Sequence, residues 1–291
     1  MDLLQLVGLR PVLGDGAMGT MLQGQGLKMG ACPEAWNLEH PDVVKGVHEA
    51  YRRAGSDFVT TNTFGANPIK LARFGLERAL EEMVRRGTDL ARRAVGTEGM
   101  VAGSVGPTGA LLEPYGDTPA EKIKEAFVAA AGALDRAGVD FLLVETMTDL
   151  NEARLAIEAA REASAIPVVA TMVFSRGAKG YRTIMGTSPE EAARGMTEAG
   201  AAMVGTNCVD GMADAIGIME TMVPAATVPT IAQPNAGLPE VRGDTVTYPE
   251  TPEAMAADLE RLLATGVGVV GGCCGTTPAH IQALARLLGK V

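Results

Sequence analysis

Two adjacent cysteines end a short apolar run and turn into a helix through Gly271-Gly272-Cys273-Cys274-Gly275-Thr276-Thr277-Pro278, and a third, Cys208, ends another such run. Vicinal thiols converge on one ion only where the backbone bends sharply, and the flanking glycines supply that freedom. With Cys208 as a third thiolate, a zinc ion would keep one tetrahedral position open, the arrangement of a catalytic zinc. Two other readings stand beside it. The three can be buried cysteines that pack as small apolar groups, or a redox pair, although adjacent cysteines lack the two-residue spacing of thioredoxin-type sites. Cys32 lies in an early loop, KMGACPEAWN, away from any strand end, and is expected not to be a ligand.

Asp15 and Glu145 are carboxylates at the ends of apolar runs, either loop anchors or, beside a cationic metal, recognition groups for a substrate ammonium. Asn235, in the run Gln233-Pro234-Asn235-Ala236-Gly237-Leu238, reads as a turn residue or as an oxygen donor near metal. The glycine-rich opening GDGAMGTM suits close backbone approach to a small anion such as a carboxylate; it lacks the later acidic residue of a dinucleotide fingerprint. His40, His48 and His280 fall before or within helical stretches and look structural, so a Ser-His or Cys-His hydrolase has no obvious base.

The elements that must position these residues are legible as eight strand candidates: PVLGD, DFVTTN, MVAGSVG, DFLLVET, PVVATMVF, AMVGTNC, PTIAQPN and GVVGGCC. Most are near-continuous apolar segments, as expected of parallel strands covered on both faces. Helical stretches between them start at Pro41, Asp149, Ser188-Pro189 and Thr251-Pro252, and several end at glycine. Eight such units in 291 residues predict one α/β domain over 1–291, a single (β/α)8 TIM barrel, with a doubly wound sheet as the rival. Asp15, Asn62, Glu145, Asn207, Cys208, Asn235, Cys273 and Cys274 then all fall at carboxyl ends of strands, the active-site rim of a barrel.

Composition narrows the partners. Hydrophobic residues make up 47% and charged ones 21%, the balance of a chain with a sizeable core. A formal charge of −10 repels phosphate backbones and offers anionic lipid no attraction, so neither nucleic acid nor membrane is expected as a partner. The start MDLLQLVGLRPVL lacks the features of a secretory leader, and a cytoplasmic location is the expectation.

The motifs GDGAMGTMLQ (14–23), TNTFGAN (61–67), GSVGPTG (103–109), ETMTD (145–149), GTNC (205–208), QPNAG (233–237) and GGCCGTTPAHI (271–281) resemble, in order and spacing, those of the zinc-dependent homocysteine S-methyltransferases. The likeness is greatest to the homocysteine-binding module of cobalamin-dependent methionine synthases, and it runs nearly end to end. The resemblance implies a (β/α)8 barrel in which Cys208, Cys273 and Cys274 hold Zn2+ and L-homocysteine sulfur takes the open position. By the same correspondence Asp15 and Glu145 recognise the amino-acid end, backbone amides around Ala17 and near Ser104 and Val105 receive the carboxylate, and Asn235 occupies or borders the fourth metal position before substrate arrives.

The same resemblance bears on the methyl donor. In betaine-using relatives an aromatic residue follows the position of Phe64, whereas Gly65 stands here, so a compact quaternary-ammonium donor lacks that contact. Methylcobalamin is the favoured donor. The chain has no Asp-x-His-x-x-Gly cobalamin-ligating motif and no folate barrel, so the expectation is a cobalamin-carrying module or subunit outside these 291 residues, the chain being a separate subunit or an excised module. A free-standing enzyme using S-methylmethionine or S-adenosylmethionine is the alternative, and a non-catalytic zinc or redox scaffold the alternative of another class.

Overall fold

Each of the eight apolar runs forms a parallel strand in a computed structural model that describes residues 2–242 and 245–290. In chain order these are β1 (Val12–Leu13), β2 (Phe58–Thr60), β3 (Met100–Val105), β4 (Phe141–Met147), β5 (Val168–Met172), β6 (Met203–Asn207), β7 (Thr230–Gln233) and β8 (Val269–Val270). From β2 to β8 each strand pairs with the next, and β8 pairs back onto β1. Helices return the chain outside this ring: Pro41–Arg53, Leu80–Val95, Ala120–Ala137, Leu150–Ala163, Pro189–Ala199, Met212–Met222, the pair Pro252–Ala257 and Leu259–Ala264, and Pro278–Leu287. The fold is the expected (β/α)8 barrel.

Period-two alternation along the strands sorts their side chains into two cores. One residue set, Val12, Phe58, Met100, Ala102, Phe141, Leu143, Val169, Met203, Ile231 and Val269, fills the barrel interior, with Phe58 and Phe141 edge to face at 5.2 Å. Leu3 from the short helix Leu3–Val7 joins this layer. The alternate residues, among them Leu13, Val59, Val101, Leu142, Val144, Ala170, Val204 and Val270, belong to the larger core shared with the helices. Two residues further along, the interior positions turn polar: Thr60, Ser104, Glu145, Thr171 and Gln233. The apolar floor thus gives way to a polar mouth at the strands' carboxyl ends.

The expected helix starts are present. Ser188 and Glu191 form a reciprocal capping box, and Asp149 accepts the Asn151 amide at 2.8 Å. The helix begun at Thr251 stops at Asp258 and restarts, so one expected helix is two short ones. Two antiparallel hairpins, Ser175–Gly177 with Gly180–Arg182 and Glu240–Arg242 with Thr245–Thr247, were not among the expected elements. They extend the loops after β5 and β7. Among the described residues no helix is long and apolar enough to cross a membrane.

Among the described residues, β1 and β2 are the only ring neighbours that share no strand ladder. Their seam is closed by other bonds. The Asp57 amide donates to Leu13 O at 2.7 Å, the Leu13 amide donates back to Asp57 Oδ2 at 2.8 Å, and the Thr60 amide donates to Asp15 Oδ2 at 2.7 Å. Asp57 also accepts from Arg10 and from Lys290, tying both ends of the chain to the seam.

Burial works against the Asp57 charge, but the hydrogen bonds from Arg10, Lys290 and the Leu13 amide outweigh it and hold the carboxyl below its usual range. A depressed folded pKa means stabilisation that is present above the unfolded value of about 3.9 and lost as pH falls through the folded one. Asp57→Asn is therefore expected to lower unfolding free energy by about 1.5–3 kcal/mol at pH 7, the scale of hydrogen bonds to a charged group. Urea denaturation should show this gap closing below about pH 4; a gap independent of pH would mean that the carboxylate's charge is not what closes the seam.

Candidate functional site

Cys208, Cys273 and Cys274 meet at the barrel mouth, with their Sγ atoms all within 4.8 Å of one another. Two strands contribute them, and those strands are not neighbours, because β7 lies between β6 and β8. The end of β7 supplies the bridge. Its consecutive carbonyls Gln233 O and Pro234 O accept the Cys208 amide (3.0 Å) and the Cys273 amide (2.8 Å), while the Ala236 amide donates to Cys274 O (2.9 Å). Gly205 lets β6 come close enough, since a Cβ there would run into Ile231 O on β7.

Cys208 itself is left-handed, with φ of 57°, and Thr146 at the end of β4 has φ of 61°. Such backbone costs on the order of 1–3 kcal/mol per residue and persists where surrounding bonds over-determine it. Here Asn207 supplies them: its Oδ1 accepts the Thr146 amide and the Thr171 hydroxyl, both at 2.8 Å, and its Nδ2 donates to Thr146 Oγ1 at 2.7 Å.

The donor set fits zinc. A Zn–S bond of about 2.3 Å gives a tetrahedral sulfur–sulfur edge of about 3.8 Å, and Cys208 Sγ lies 3.8 Å from Cys274 Sγ. All four cysteines are free thiols, and the three stand without a histidine or carboxylate completing the cluster among the described residues. Hydrogen bonds from Cys208 and Cys273 pull the Cys274 thiol down. Asn235 Oδ1, on the loop leaving β7, is a buried acceptor with no protein donor, as is Gln233 Oε1 at the strand's end. A metal cation or a hydrogen-bond donor would satisfy such an atom.

Glu145 and Asp15 share the mouth but are held differently. Glu145 Oε1 accepts the Ser104 hydroxyl at 2.5 Å and Oε2 accepts Asn207 Nδ2 at 3.1 Å. The same Asn207 nitrogen lies 3.9 Å from Cys273 Sγ, linking carboxylate and sulfur cluster through one amide. Asp15 is buried in the β1–β2 seam, its two oxygens taken by the Thr60 amide (2.7 Å) and hydroxyl (2.8 Å). Burial pushes both carboxyls up to about 7, and for Glu145 the Asp15 charge adds to it.

Two of the backbone amides expected to stand open for a carboxylate do not. The Ala17 amide donates to Thr276 Oγ1 at 3.1 Å, and the Ser104 amide to Thr61 Oγ1 at 3.0 Å. Both are used to lace neighbouring loops together, and Ser104 presents its hydroxyl to Glu145 instead. Val105 is buried at the end of β3, paired with Val144. Cys32 stands apart from the cluster, donating its S–H to Glu34 Oε2 at 3.1 Å; burial and the Glu34 charge push its thiol up to about 12. Of the histidines, His280 binds Glu250 O through Nε2 at 2.9 Å and pins the long loop after β7.

Two residues at the site escaped the reading of motifs, and a third, Asn207, was placed on the rim and in GTNC without a role of its own. Thr60, which holds Asp15, looks like an ordinary strand residue. Tyr248 lies at the far end of the β7 loop and rests its ring against Gly275, the residue after Cys274.

Known proteins agree with this geometry. Methionine synthase of Mycobacterium tuberculosis is 34% identical over 308 aligned residues, and that of Mycobacterium leprae is 33% identical. The alignments take in 100% and 99% of this chain but 26% and 25% of those proteins, so the chain spans about a quarter of the relatives' length. The crystal structure of Escherichia coli homocysteine methyltransferase MmuM in its metallated form superposes with a TM-score of 0.81 at 25% identity, covering 97% of this chain and 98% of that one. Its oxidized form gives 0.78 at 25% identity. The family model for homocysteine S-methyltransferase matches residues 12–288. With that match over nearly the whole barrel, the chain belongs to the homocysteine S-methyltransferase family of enzymes.

Proposed function

We propose that this chain binds L-homocysteine at the barrel mouth and prepares its thiol for methylation to L-methionine, with Cys208, Cys273 and Cys274 holding Zn2+. The observation that carries the reading is the convergence of three sulfurs within 4.8 Å, linked through Asn207 to a half-buried carboxylate, Glu145. When bound, zinc in a three-thiolate site would acidify an incoming thiol whose pKa in water is about 8.5, so that no protein base is needed.

The rest falls to the chain's own residues. Glu145, held by Ser104 and Asn207, counters the α-ammonium, and Asp15 adds negative charge from the seam behind it. Asn207 fixes the spacing between that carboxylate and Cys273, which suits an amino acid whose sulfur and ammonium sit at opposite ends of a short chain. The α-carboxylate is assigned to the loop around Ala17 and the loop near Ser104 and Val105, at backbone amides other than those of Ala17 and Ser104, which are engaged. Asn235, whose neighbours Pro234 and Ala236 are bonded to Cys273 and Cys274, would offer its unpartnered oxygen as the fourth donor until substrate takes that position.

Methylcobalamin carried by a module outside these residues is the proposed donor, supported by 34% identity to a methionine synthase about four times as long. A second reading, a free-standing methyltransferase using a sulfonium donor such as S-methylmethionine, is favoured by the nearly complete mutual coverage with the E. coli enzyme. Supplying each donor to the zinc-loaded chain with homocysteine and measuring methionine separates them. Turnover with methylcobalamin is expected; turnover with S-methylmethionine alone would assign the donor to the second reading, and activity with neither would count against methyl transfer.

Metal content tests the cysteines directly. The parent should hold one zinc per chain, and Cys208→Ala, Cys273→Ala and Cys274→Ala should each lose most of it with little change in circular dichroism, because the site lies on the rim and not in the core. Cys32→Ala should keep its zinc. Full occupancy in Cys273→Ala would sink the ligand assignment.

The carboxylate is tested by pH. Burial raises the Glu145 carboxyl to about 7, and only its ionised form counters an ammonium. Homocysteine affinity in the parent should fall as acid protonates it. Glu145→Gln should bind about 1.5–3 kcal/mol more weakly at pH 8 with zinc retained, and the difference should narrow below pH 7 as the parent's carboxyl becomes neutral. Equal affinities at pH 8, measured calorimetrically, would remove Glu145 from ammonium recognition.

A further inference from the structure

Of the polar side chains that line the mouth above the apolar floor, all but one are engaged. The Thr60 hydroxyl donates to Asp15, the Ser104 hydroxyl to Glu145, and the Thr171 hydroxyl to Asn207 Oδ1. Gln233 is the exception. It stands on β7 two residues beyond Ile231 of the floor and is only 4% exposed, yet its buried Oε1 has no hydrogen-bond partner among the described residues. Leaving a buried amide oxygen without a donor is costly, and a donor brought in by a ligand recovers that cost.

The surroundings of Gln233 direct it to one end of the ligand. Gly271, just after β8, has no side chain, and a Cβ there would stand 3.1 Å from both Asp15 O and Gln233 Nε2. The Gln233 amide and the Asp15 backbone thus flank one bare glycine. On the other side, the backbone of Gln233 pairs with Asn207 and accepts the Cys208 amide at 3.0 Å. One residue therefore touches both the carboxylate side of the mouth and the strand that presents the first sulfur.

Resting on the homocysteine reading of the mouth, we infer that Gln233 is a substrate-binding residue whose Oε1 accepts one N–H of the α-ammonium. An ammonium carries three N–H donors. Glu145 and Asp15 supply the countercharge in that reading, but protein donors already occupy part of each: Ser104 and Asn207 on Glu145, the Thr60 amide and hydroxyl on Asp15. Gln233 offers the third acceptor, one for which no protein donor competes. A neutral oxygen suits this place. A third carboxylate would drive the other two carboxyls still further toward their protonated forms, because like charges disfavour ionisation, whereas an amide dipole adds an acceptor without adding charge.

Calorimetry with two ligands tests this without turnover. The zinc-loaded chain at pH 8 would be titrated with homocysteine and with 4-mercaptobutanoate, which keeps the thiol, the chain length and the carboxylate but lacks the ammonium. Gln233→Met keeps the length of the side chain and removes both polar amide atoms. With zinc retained, it is expected to hold homocysteine roughly tenfold more weakly, the scale of one hydrogen bond to a charged group, and 4-mercaptobutanoate as the parent does. Gln233→Glu keeps acceptor oxygens and loses only the NH2, so it should keep the parent's preference for homocysteine over 4-mercaptobutanoate. Unchanged homocysteine affinity or equal losses for the two ligands in Gln233→Met, or loss of the preference in Gln233→Glu, would overturn the inference. A parent that holds homocysteine no better than 4-mercaptobutanoate would overturn ammonium recognition at the mouth as a whole, a result read on the parent alone and so distinct from the others.

Discussion

Holding Cys208 Sγ 3.8 Å from Cys274 Sγ ties the end of β6 to the turn after β8 across an intervening strand, and much of the rim is arranged to satisfy that span. β7 must stop early and offer carbonyls on both sides, which Gln233 and Pro234 do. β6 must press close to β7, which needs Gly205, and then swing Cys208 into left-handed backbone. The cost of that backbone is offset by Asn207, fully buried and bonded to β4 and β5. Cysteine geometry and strand register are consequently one problem, solved by bonds that run along the rim from β4 to β8.

The electrostatics of the mouth follow from what surrounds it. Two carboxyls and three thiols stand above an apolar floor, and no lysine or arginine pairs with either Asp15 or Glu145 among the described residues. Burial therefore raises both carboxyls to about 7 instead of leaving them ionised. A cationic group entering the mouth would restore their charge. In the proposed function the metal and the substrate ammonium are two such charges, and Asn207 bonds the carboxylate and faces the sulfur on either side.

Much of this was legible in the residues. The eight strands announce themselves because strands buried on both faces have no polar alternation to confuse them, and the Ser188 and Asp149 helix starts follow from their side-chain oxygens. The hairpins of Ser175–Gly177 with Gly180–Arg182 and of Glu240–Arg242 with Thr245–Thr247 were not legible, since strands of three residues are too short for an alternation to register. The three cysteines could be grouped from strand-end positions and family motifs. What lay beyond reach was which amides are already engaged: nothing near Ala17 signals that Thr276, 259 positions away, takes its N–H. Tyr248 was hidden for the same reason, because its significance depends on a glycine on another loop that is bare so that the ring can fit.

The β1–β2 seam has a bearing on how this pocket can change over evolutionary time. An acidic residue of the mouth, Asp15, is also the clasp that joins two strands lacking a ladder. A lineage or a mutant library exploring new amino-acid substrates would find that position closed to it, since altering the charge that greets the ligand opens the wall of the barrel as well. Glu145, whose partners are side chains and not strand backbone, carries no such double duty. Shifts in ligand preference should accordingly accumulate on the β4 side of the mouth, with the β1 side staying fixed.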